Sequence, residues 1–302
     1  MVEIVKFKKL ELEDKDIFQT YLGDYKFNTY EYSFLTLYTW RKMLNVEFSI
    51  INNTLIIKKY SKKTGSYFMQ PVGYGKEDLK GIVLILNDIR KNSGDFNNLF
   101  RDIEISFLYE LSSVFKNRIK YFEDINNFDY IYNSEDLILL SGKKYHSKKN
   151  QYNQFINNYK YEIRDFNAPD VIEDCIDFAK VWFNERGGNE SFLKYELEGI
   201  EDVLPKSELL GIKGMAVYVD GRLAGFTTGE KVNNNMAVIH FEKGDLFYEG
   251  IYSFINKTFI EKYFSDVKYI NRQEDMGVKG LRKAKRAYNP VKLEKRFIAD
   301  LL

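Results

Sequence analysis

The chain has 302 residues, enough for one large domain or two of ordinary size. Hydrophobic residues make up 44% and charged residues 29%, a composition that indicates a globular protein and excludes a disordered one. The formal net charge of +1 excludes a polycation, so any contact with nucleic acid has to come from a local basic patch.

The chain has a single cysteine, Cys175, which excludes an internal disulfide and a cysteine zinc site. With only two histidines, His146 and His240, no metal site is predicted. The N-terminus has no apolar core of a signal peptide, and the longest apolar run, Ile82 to Leu86, is far shorter than the roughly 20 residues of a membrane span. We therefore expect a soluble, cytoplasmic protein without a transmembrane segment.

The first half of the sequence alternates helical and extended patterns. Apolar residues at helical spacing predict helices over Glu13–Leu22, Tyr30–Leu44, Glu77–Lys91 and Phe107–Lys116. Extended patterns predict strands over Val46–Ile51, Thr54–Tyr60, Tyr67–Met69, Arg101–Ile105, Ile119–Glu123 and Asp129–Tyr132. Asn52 and Asn53, between the first two strands, favour a tight hairpin turn.

The second half has a more regular order. Helices are predicted over Lys143–Tyr159, Asp170–Asn184, Leu193–Leu210, Tyr248–Phe264 and Gly277–Ala287. Strands are predicted over Tyr161–Phe166, Met215–Val219, Leu223–Lys231, Met236–Phe241, Val267–Ile270 and Val291–Ala299. Asp220-Gly221 is a strong signal for a type I′ hairpin turn.

The two halves echo each other in the order of their elements. We therefore predict an α/β (α+β) protein of two modules, residues 1–140 and 141–302, each a mixed, mostly antiparallel sheet flanked by helices. This order is the one expected of acyltransferases of the GCN5-related N-acetyltransferase (GNAT) fold. We expect the active cleft in the second module.

Two segments narrow the comparison further: Gly142–Asn150, read GKKYHSKKN, and Asn271–Lys285, read NRQEDMGVKGLRKAK. Together they resemble the bacterial family similar to the C-terminal domain of phosphatidylglycerol lysyltransferase. The resemblance implies tandem acetyltransferase-like modules and kinship with enzymes that move an aminoacyl group from aminoacyl-tRNA to a lipid or a peptidoglycan peptide. Those lysyltransferases carry many transmembrane helices before this domain, whereas this sequence shows none.

The segment after the strand Val267–Ile270 forms a polar loop that leads into a basic helix. The free amides and dipole of a helix N-terminus attract anions, and basic side chains bind phosphate. The candidate residues for donor or substrate binding are Asn271, Arg272, Gly277, Gly280, Arg282 and Lys283. The alternative is a solvated basic face.

Two acids in the same loop, Glu274 and Asp275, are candidates for a catalytic base or for binding a substrate ammonium. The alternative for both is an ordinary cap of the following helix. On that helix, a stripe of apolar residues is expected to face the sheet. Its members are Val278, Leu281, Ala284 and Tyr288.

Lys144 and Lys148 lie one helical turn apart in the earlier basic segment. They are candidates for contact with a phosphate or RNA, and the alternative is a plain basic surface. Glu230 and His240 are expected on facing strands, where they suit deprotonation of an attacking amine or hydroxyl. The alternative is an ordinary pair of polar residues on a sheet.

A coenzyme A thioester is the other candidate for the acyl donor. The Gly73-Tyr74-Gly75-Lys76 turn and the pair Gly277 and Gly280 are both placed to cradle a pyrophosphate, but neither completes the longer pattern of coenzyme A-binding acetyltransferases. The donor hypotheses are therefore aminoacyl-tRNA and a coenzyme A thioester.

The leading hypothesis from the sequence is an aminoacyl- or acyltransferase. It moves an activated aminoacyl group to an amine or hydroxyl acceptor, which is a small molecule, a peptide or a lipid, and it contacts the acceptor end of tRNA. The alternatives are a non-catalytic RNA- or nucleotide-binding protein and a coenzyme A-dependent N-acetyltransferase. The sequence does not reveal the oligomeric state.

Overall fold

The computed structural model describes residues 5–24, 26–186 and 191–302. The chain divides into two compact units. Unit 1 comprises Met1–Phe128 and Glu294–Leu302, and unit 2 comprises Asp129–Leu293. Each unit has one seven-stranded sheet with helices, so the predicted fold class of two mixed α/β modules is confirmed.

Unit 1 follows the order of elements expected from the sequence. Its N-terminal strands are β1 (Lys8–Lys9), β2 (Glu47–Ile51), β3 (Thr54–Ser61), β4 (Gly65–Phe68), β5 (Phe96–Ile103) and β6 (Ile119–Glu123). Its helices are α1 (Lys15–Leu22), α2 (Phe34–Trp40), α3 (Leu79–Ser93) and α4 (Ile105–Phe115).

Unit 2 begins one strand earlier than the predicted boundary. Its strands are β7 (Asp129–Asn133), β8 (Tyr161–Asp165), β9 (Lys213–Val219), β10 (Arg222–Asn233), β11 (Met236–Gly244), β12 (Tyr269–Asn271) and β13 (Lys292–Glu294). Its helices are α5 (Ser134–Leu139), α6 (His146–Asn158), α7 (Pro169–Glu185), α8 (Ser191–Val203), α9 (Ser207–Leu210), α10 (Ile251–Tyr263) and α11 (Lys279–Arg286). The chain ends with β14 (Phe297–Leu301), which belongs to unit 1.

The strand orders are β1-β2-β3-β4-β5-β14-β6 in unit 1 and β13-β7-β12-β11-β10-β9-β8 in unit 2. In each sheet one central pair is parallel, β4 with β5 and β11 with β12, and the strands flanking that pair are antiparallel to it. A parallel pair needs a crossover connection, and α3 and α10 provide it.

Both predicted hairpin turns are confirmed by their backbone angles. Asn52 and Asn53 have φ of 48° and 57°, and Asp220 and Gly221 have φ of 49° and 77°. Positive φ at both central residues is the requirement of a type I′ turn, which asparagine, aspartate and glycine meet at low cost.

The last strands of the two halves are exchanged between the sheets. β14 lies between β5 and β6 of unit 1, while β7 lies between β12 and β13 of unit 2. The single strand predicted over Val291–Ala299 is therefore two strands in different sheets, with Lys295 and Arg296 between them. The boundary falls before β7, not after residue 140, because periodicity shows that a segment is extended but not which sheet it joins.

Each unit has its own apolar core. In unit 1 the buried face of α3 carries Leu79, Ile82, Val83 and Leu86, the helical spacing that the sequence shows. In unit 2, α10 packs against β9, β10 and β11. No helix in the part of the chain that the structure describes has the length and apolarity needed to cross a bilayer.

Candidate active site

The site lies in unit 2, where β11 and β12 part. Their parallel pairing ends with Val238 opposite Asn271. On the other side of β11, Phe241 pairs with Thr228 and Ile239 with Gly229, so His240 is the extra residue of a bulge. Beyond this point the backbone of β11 is no longer paired with β12, so the two strands separate at the carboxyl end of the pair.

Arg272, the residue after β12, points its guanidinium at a carboxylate on β11. Its Nη2 lies 2.8 Å from Oε1 of Glu242, and its Cζ lies 4.7 Å from the centre of the Tyr288 ring. The amide of Arg272 donates to the carbonyl of Tyr130 on β7 at 3.0 Å, which fixes the backbone. Burial alone would lower the pKa of Arg272, but Glu242 raises it, so the guanidinium stays charged.

Two buried polar atoms beside Glu242 have no hydrogen-bond partner among the described residues. They are Nη1 of Arg272, a donor, and Oδ1 of Asn256 on α10, an acceptor. The amide nitrogen of Asn256 lies 3.4 Å from Oε2 of Glu242, so its oxygen faces away from that carboxylate. Each unpaired buried group costs about 1–3 kcal/mol unless something bonds it. The two atoms are therefore candidate contacts for a ligand with one acceptor and one donor.

Lys148 on α6 lies against the same tyrosine ring as Arg272. Its Nζ lies 4.5 Å from the centre of the Tyr288 ring and donates to Oε1 of Gln151 at 3.2 Å. Burial lowers the pKa of Lys148, and the nearby Arg272 lowers it further against the opposite effect of Glu242. The predicted candidates Lys148 and Arg272 thus lie on one aromatic ring.

Lys285 on α11 is a functional candidate that the sequence analysis missed. Its side chain is buried, and its Nζ donates to the carbonyl of Arg272 and lies 3.5 Å from that of Gln273. Burial, followed by the charge of Arg272, lowers the pKa of Lys285 to about 8. Lys285 therefore holds the backbone that carries Arg272.

The expected apolar stripe on α11 is wrong for two of its four members. Val278 is 52% exposed and Ala284 is exposed, whereas Lys285 and Tyr288 are buried. The helix has only eight residues, and its buried face is set by the carbonyls that Lys285 bonds. A lysine in a basic run gives no sequence signal for burial, because lysine is almost always exposed.

Asp275 organises the loop between β12 and α11. It is fully buried and accepts hydrogen bonds from Tyr130 Oη at 2.6 Å, from the Gly277 amide at 2.8 Å, and from two nitrogens of Arg282 at 2.7 Å each. Burial alone would raise the pKa of Asp275, but the bonds from Arg282, Tyr130 and Gly277 lower it to about 2. A carboxylate with so low a pKa and with its oxygens already bonded is a poor base. Asp275 therefore stabilises the loop between β12 and α11.

The same contacts change the expected roles of Arg282 and Gly277. The amide of Gly277 and the fork of Arg282 were predicted to bind phosphate, but both bind the carboxylate of Asp275. The protein's own anion thus occupies the position expected for a ligand anion near the start of α11.

We predict that Asp275→Asn lowers the free energy of unfolding at pH 7 by about 1 to 2 kcal/mol. Because the folded pKa of Asp275 lies below its unfolded value, its stabilisation is present above about pH 4 and is lost as the pH falls towards 2. Urea unfolding of wild type and variant at pH 7 and pH 2.5 measures this. The difference should shrink at pH 2.5, and a constant difference would contradict the assignment. Asp266→Asn, at an exposed ion pair with Lys231, is the control and should have no effect.

The predicted pair Glu230 and His240 does lie within hydrogen-bond distance, 2.9 Å from Oε1 to Nε2. The His240 side chain is only 3% exposed, so the pair is shielded from solvent. The side-chain amide of Gln273 donates to the carbonyl of Ile239 at 3.1 Å and lies 3.4 Å from Nδ1 of His240. The pair therefore braces the point where β11 and β12 part, and its catalytic role remains a prediction.

The remaining predicted residues lie around this centre. Asn271 is fully buried and donates to Oδ2 of Asp129 at 2.8 Å, so it holds the strand. Glu274 is half-buried and close enough to Lys285 to act on its pKa. Gly280 and Lys283 are exposed on α11.

Lys144 is 52% exposed and pairs with Asp136 at 3.3 Å. Its carbonyl accepts a hydrogen bond from Asn289, just after α11, at 3.1 Å. The two basic segments picked out in the sequence therefore meet in unit 2, but Lys144 itself is on the outer surface.

Gly277 and Gly280 do not occupy the place of a pyrophosphate-binding loop in the second module. In unit 1 the turn with Gly73 and Gly75 connects β4 to α3, and the matching connection in unit 2 is residues 245–250, between β11 and α10. Gly277 and Gly280 follow the next strand, β12. In unit 2 both β11 and β12 are followed by a loop and a helix, so the sequence pattern alone does not show which loop matches the turn of unit 1.

The 245–250 loop differs from a phosphate cradle. It carries two acids, Asp245 and Glu249, and an apolar tip at which Leu246 is 69% and Phe247 is 78% exposed. Its own carboxylate accepts the Phe247 amide at 2.8 Å. Among the described residues there is also no group of three or more histidines, cysteines or acids arranged to hold a metal.

Comparison with known proteins identifies the family of the chain. The family described as "Phosphatidylglycerol lysyltransferase, C-terminal" matches residues 23–300. The chain belongs to this family. The resemblance noted in the sequence is thereby confirmed. The matched residues include the loop and helices of the candidate site.

Solved structures agree on the fold of this family member. A conserved protein of unknown function from Bacteroides thetaiotaomicron is 31% identical over 99% of this chain and all of that one, with a TM-score of 0.89. The L-PGS structure from Bacillus licheniformis is 14% identical, with coverage of 99% and 94% and a TM-score of 0.67. A tandem GNAT protein from the clavulanic acid biosynthesis pathway is 8% identical, with coverage of 98% and 97% and a TM-score of 0.52. The fold is GNAT-like.

A curated relative, an uncharacterised protein of Mycoplasmoides gallisepticum, is 23% identical over 175 residues. The match covers 58% of this chain and 56% of the relative, so it spans about half the length of that protein. Family and fold together relate the chain to lysylphosphatidylglycerol synthetases and to GNAT-like acyltransferases.

Proposed function

We propose that unit 2 transfers an aminoacyl group from an activated ester, aminoacyl-tRNA, to an amine or hydroxyl acceptor. The observation that carries the proposal is the pair of unbonded buried atoms beside Glu242, Arg272 Nη1 and Asn256 Oδ1. An α-aminoacyl ester has a carbonyl oxygen that accepts and an ammonium that donates, at adjacent carbons. It can bond both atoms and place its ammonium against the Glu242 carboxylate.

The reaction needs no covalent enzyme intermediate, because the ester is already activated. The acceptor nitrogen or oxygen attacks the carbonyl carbon, and the electron pair of the C=O bond moves to its oxygen. Arg272 Nη1 donates to that oxyanion, whose charge develops in the transition state. The tetrahedral intermediate then expels the ribose hydroxyl, which leaves with the proton that the acceptor gives up.

The neighbouring residues keep the reacting group oriented. Lys285 and the Tyr130 carbonyl fix the backbone of Arg272, and Glu242 fixes its guanidinium. A donor that is held rigidly avoids the reorganisation that a flexible arginine would need during the reaction.

The 245–250 loop supports aminoacyl transfer over coenzyme A chemistry. Asp245 and Glu249 would repel a pyrophosphate, and the amide of Phe247 is bonded within the loop. We therefore favour an ester donor over a thioester of coenzyme A.

The test is transfer of radiolabel from a mixture of aminoacyl-tRNAs to phosphatidylglycerol vesicles and to an amine-bearing peptidoglycan peptide. We expect labelled product with one of these acceptors. Asn256→Ala should reduce its rate about 10- to 100-fold, since one bond to the ammonium is lost. Asn157→Ala, at an exposed position on α6, is the matched control and should not change the rate.

Two results would overturn the proposal. Transfer of label from acetyl-coenzyme A but from no aminoacyl-tRNA would make the protein an acetyltransferase. Salt-sensitive tRNA binding, with no transfer to either acceptor and no hydrolysis of the ester, would make it a binding protein.

A further inference from the structure

The strand β6 leaves one edge of the unit 1 sheet open. Among the described strands it pairs only with β14. The amide of Leu302 donates to the carbonyl of Arg118, its partner in that register, at 2.8 Å. Because hydrogen-bonded and non-hydrogen-bonded pairs alternate in an antiparallel ladder, the N–H and C=O groups of Ile119, Tyr121 and Glu123 point away from β14. These groups have no backbone partner among the described residues and can bond a further strand.

Exposed apolar side chains follow this open edge. Tyr121 is 57% exposed and Phe122 41%, and Ile125, just after the strand, is 50% exposed. Short length and charge usually protect a sheet edge from pairing, and the other three edges have one or both. β1 and β13 have two and three residues, and β8 carries an ion pair between Glu162 and Arg164. β6 has five residues and therefore offers an edge suited to pairing.

The charges of β6 select one register for pairing with a second copy. In an antiparallel pair of identical strands, outward residues face outward residues, so either Tyr121 or Phe122 lies on the two-fold axis of a centred pair. With Phe122 on the axis, Lys120 of each copy lies opposite Asp124 of the other, and opposite charges meet twice. With Tyr121 on the axis, Lys120 lies opposite Phe122 and its charge has no partner.

Lys120 and Asp124 are available for this contact. Lys120 is exposed, and no ion pair in the described part of the chain includes either side chain. Asp124 has extended backbone angles, φ −122° and ψ 110°, so it continues the strand by one residue. Its Oδ1 accepts from the Asn126 amide at 3.0 Å, while Oδ2 has only a long contact of 3.5 Å with the side chain of Asn127. Oδ2 can therefore accept a charged hydrogen bond.

We propose that two copies of the chain pair through β6, antiparallel and with Phe122 on the two-fold axis. The two seven-stranded sheets of unit 1 then form one continuous sheet. The two Phe122 residues meet at the centre, flanked on each side by a contact between Lys120 and Asp124. This gives unit 1 a role in assembly, and it is independent of the function proposed for unit 2.

The first test is sedimentation of the full chain over a range of concentrations, in which we expect a dimer. Lys120→Glu and Asp124→Lys should each raise the dissociation constant about 10- to 100-fold, because two attractive contacts become repulsive. An equimolar mixture of the two variants should dimerise within about threefold of the wild-type constant, since opposite charges then meet at both contacts. Lys62→Glu, the same charge change at an exposed turn of unit 1, is the control and should leave the dimer unchanged.

The second test is crosslinking with a mild oxidant. Phe122→Cys should form a disulfide between copies, because the Cα atoms of such a non-hydrogen-bonded pair lie about 4.5 Å apart. Lys120→Cys should not, because the two copies of that position lie about 13 Å apart along the ladder. The native Cys175 is buried and does not compete.

Three results would overturn the proposal. One is a monomer at every concentration up to about 100 μM. Another is a dimer that neither charge variant weakens, or a mixture of the two variants that stays monomeric. The third is a disulfide from Tyr121→Cys but none from Phe122→Cys, which would place the other residue on the axis. Far-ultraviolet circular dichroism of each variant establishes that it is folded.

Discussion

Replacing Arg272 by lysine is expected to reduce aminoacyl transfer by about 10²- to 10³-fold, the loss typical of removing one donor to a developing oxyanion. Lysine keeps the positive charge but cannot reach Glu242 with one nitrogen and the ester oxygen with another. The affinity for L-norleucinamide, an amino acid α-amide that keeps the ammonium and carbonyl oxygen of the ester, should change much less than the rate. The reason is that the hydrogen bond from Arg272 strengthens as negative charge develops on the carbonyl oxygen. Single-turnover transfer measures the rate, and calorimetric titration with L-norleucinamide measures the affinity.

Loss of stability is the competing explanation. Arg272→Ala leaves Glu242 buried without its partner and should cost about 3–5 kcal/mol of unfolding free energy. The double variant Arg272→Met with Glu242→Gln removes both charges and should recover most of this stability without recovering transfer. Recovery of transfer together with stability would give Arg272 a purely structural role. Lys80→Ala, at an exposed site on α3 in unit 1, is the control and should keep full rate and stability.

The second large effect concerns unit 1. Replacing Arg296 by alanine is expected to lower the free energy of unfolding by about 3–5 kcal/mol. The Arg296 side chain is 4% exposed, pairs with Glu31, lies 3.6 Å from Asp102 and donates to the carbonyl of Asn127 at 2.6 Å. Lys59 bonds Glu31 at 2.6 Å. Without Arg296, Glu31 and the largely buried Asp102 lose one of the cations that they share.

Arg296 also fixes the segment that leads into β14, the strand that lies between β5 and β6. Removal of residues 295–302 should therefore abolish cooperative folding of unit 1, since the sheet loses an interior strand. Lys295→Ala is the matched control, because Lys295 pairs with Glu123 at 2.9 Å with both side chains about half exposed. It should cost less than about 1 kcal/mol. If urea unfolding showed the same loss of unfolding free energy for Arg296→Ala and Lys295→Ala, a buried ionic network around Arg296 would be contradicted.

Acid should weaken the same network. Burial alone would raise the pKa of Asp102, but Lys59, Arg296 and Arg101 lower it. A lowered folded pKa gives stability that is present above the unfolded value, near 4, and is lost as the pH falls through the folded value.

Local sequence patterns predicted the elements and the turns well. The hairpins at Asn52-Asn53 and Asp220-Gly221 depend only on the angles those residues adopt, so the sequence alone predicts them. The facing of Glu230 and His240 follows from the short connection between two adjacent strands. Placement of β7 and β14 does not follow from any local property, because either sheet offers the same hydrogen bonds to an extended segment.

In the candidate site, too, some residues can be predicted from the sequence and others only from the folded structure. Arg272 and Lys148 could be found because charged residues in a turn and at the start of a helix stand out. Glu242 and Asn256 could not, because the unbonded atoms of Arg272 and Asn256 beside Glu242 are visible only in the folded chain. Lys285 looked like one more lysine of a basic helix, and Asp275 and Arg282 looked like a base and a phosphate ligand although they satisfy each other.

The central claim is that an aminoacyl group binds between Arg272 and Asn256 in unit 2. The most direct measurement is a crystal structure of the chain with L-norleucinamide. The account predicts the carbonyl oxygen within hydrogen-bond distance of Arg272 Nη1 and the ammonium within that distance of Asn256 Oδ1 and Glu242. An amide bound elsewhere, or bound here with Arg272 Nη1 and Asn256 Oδ1 still unpaired, would contradict it.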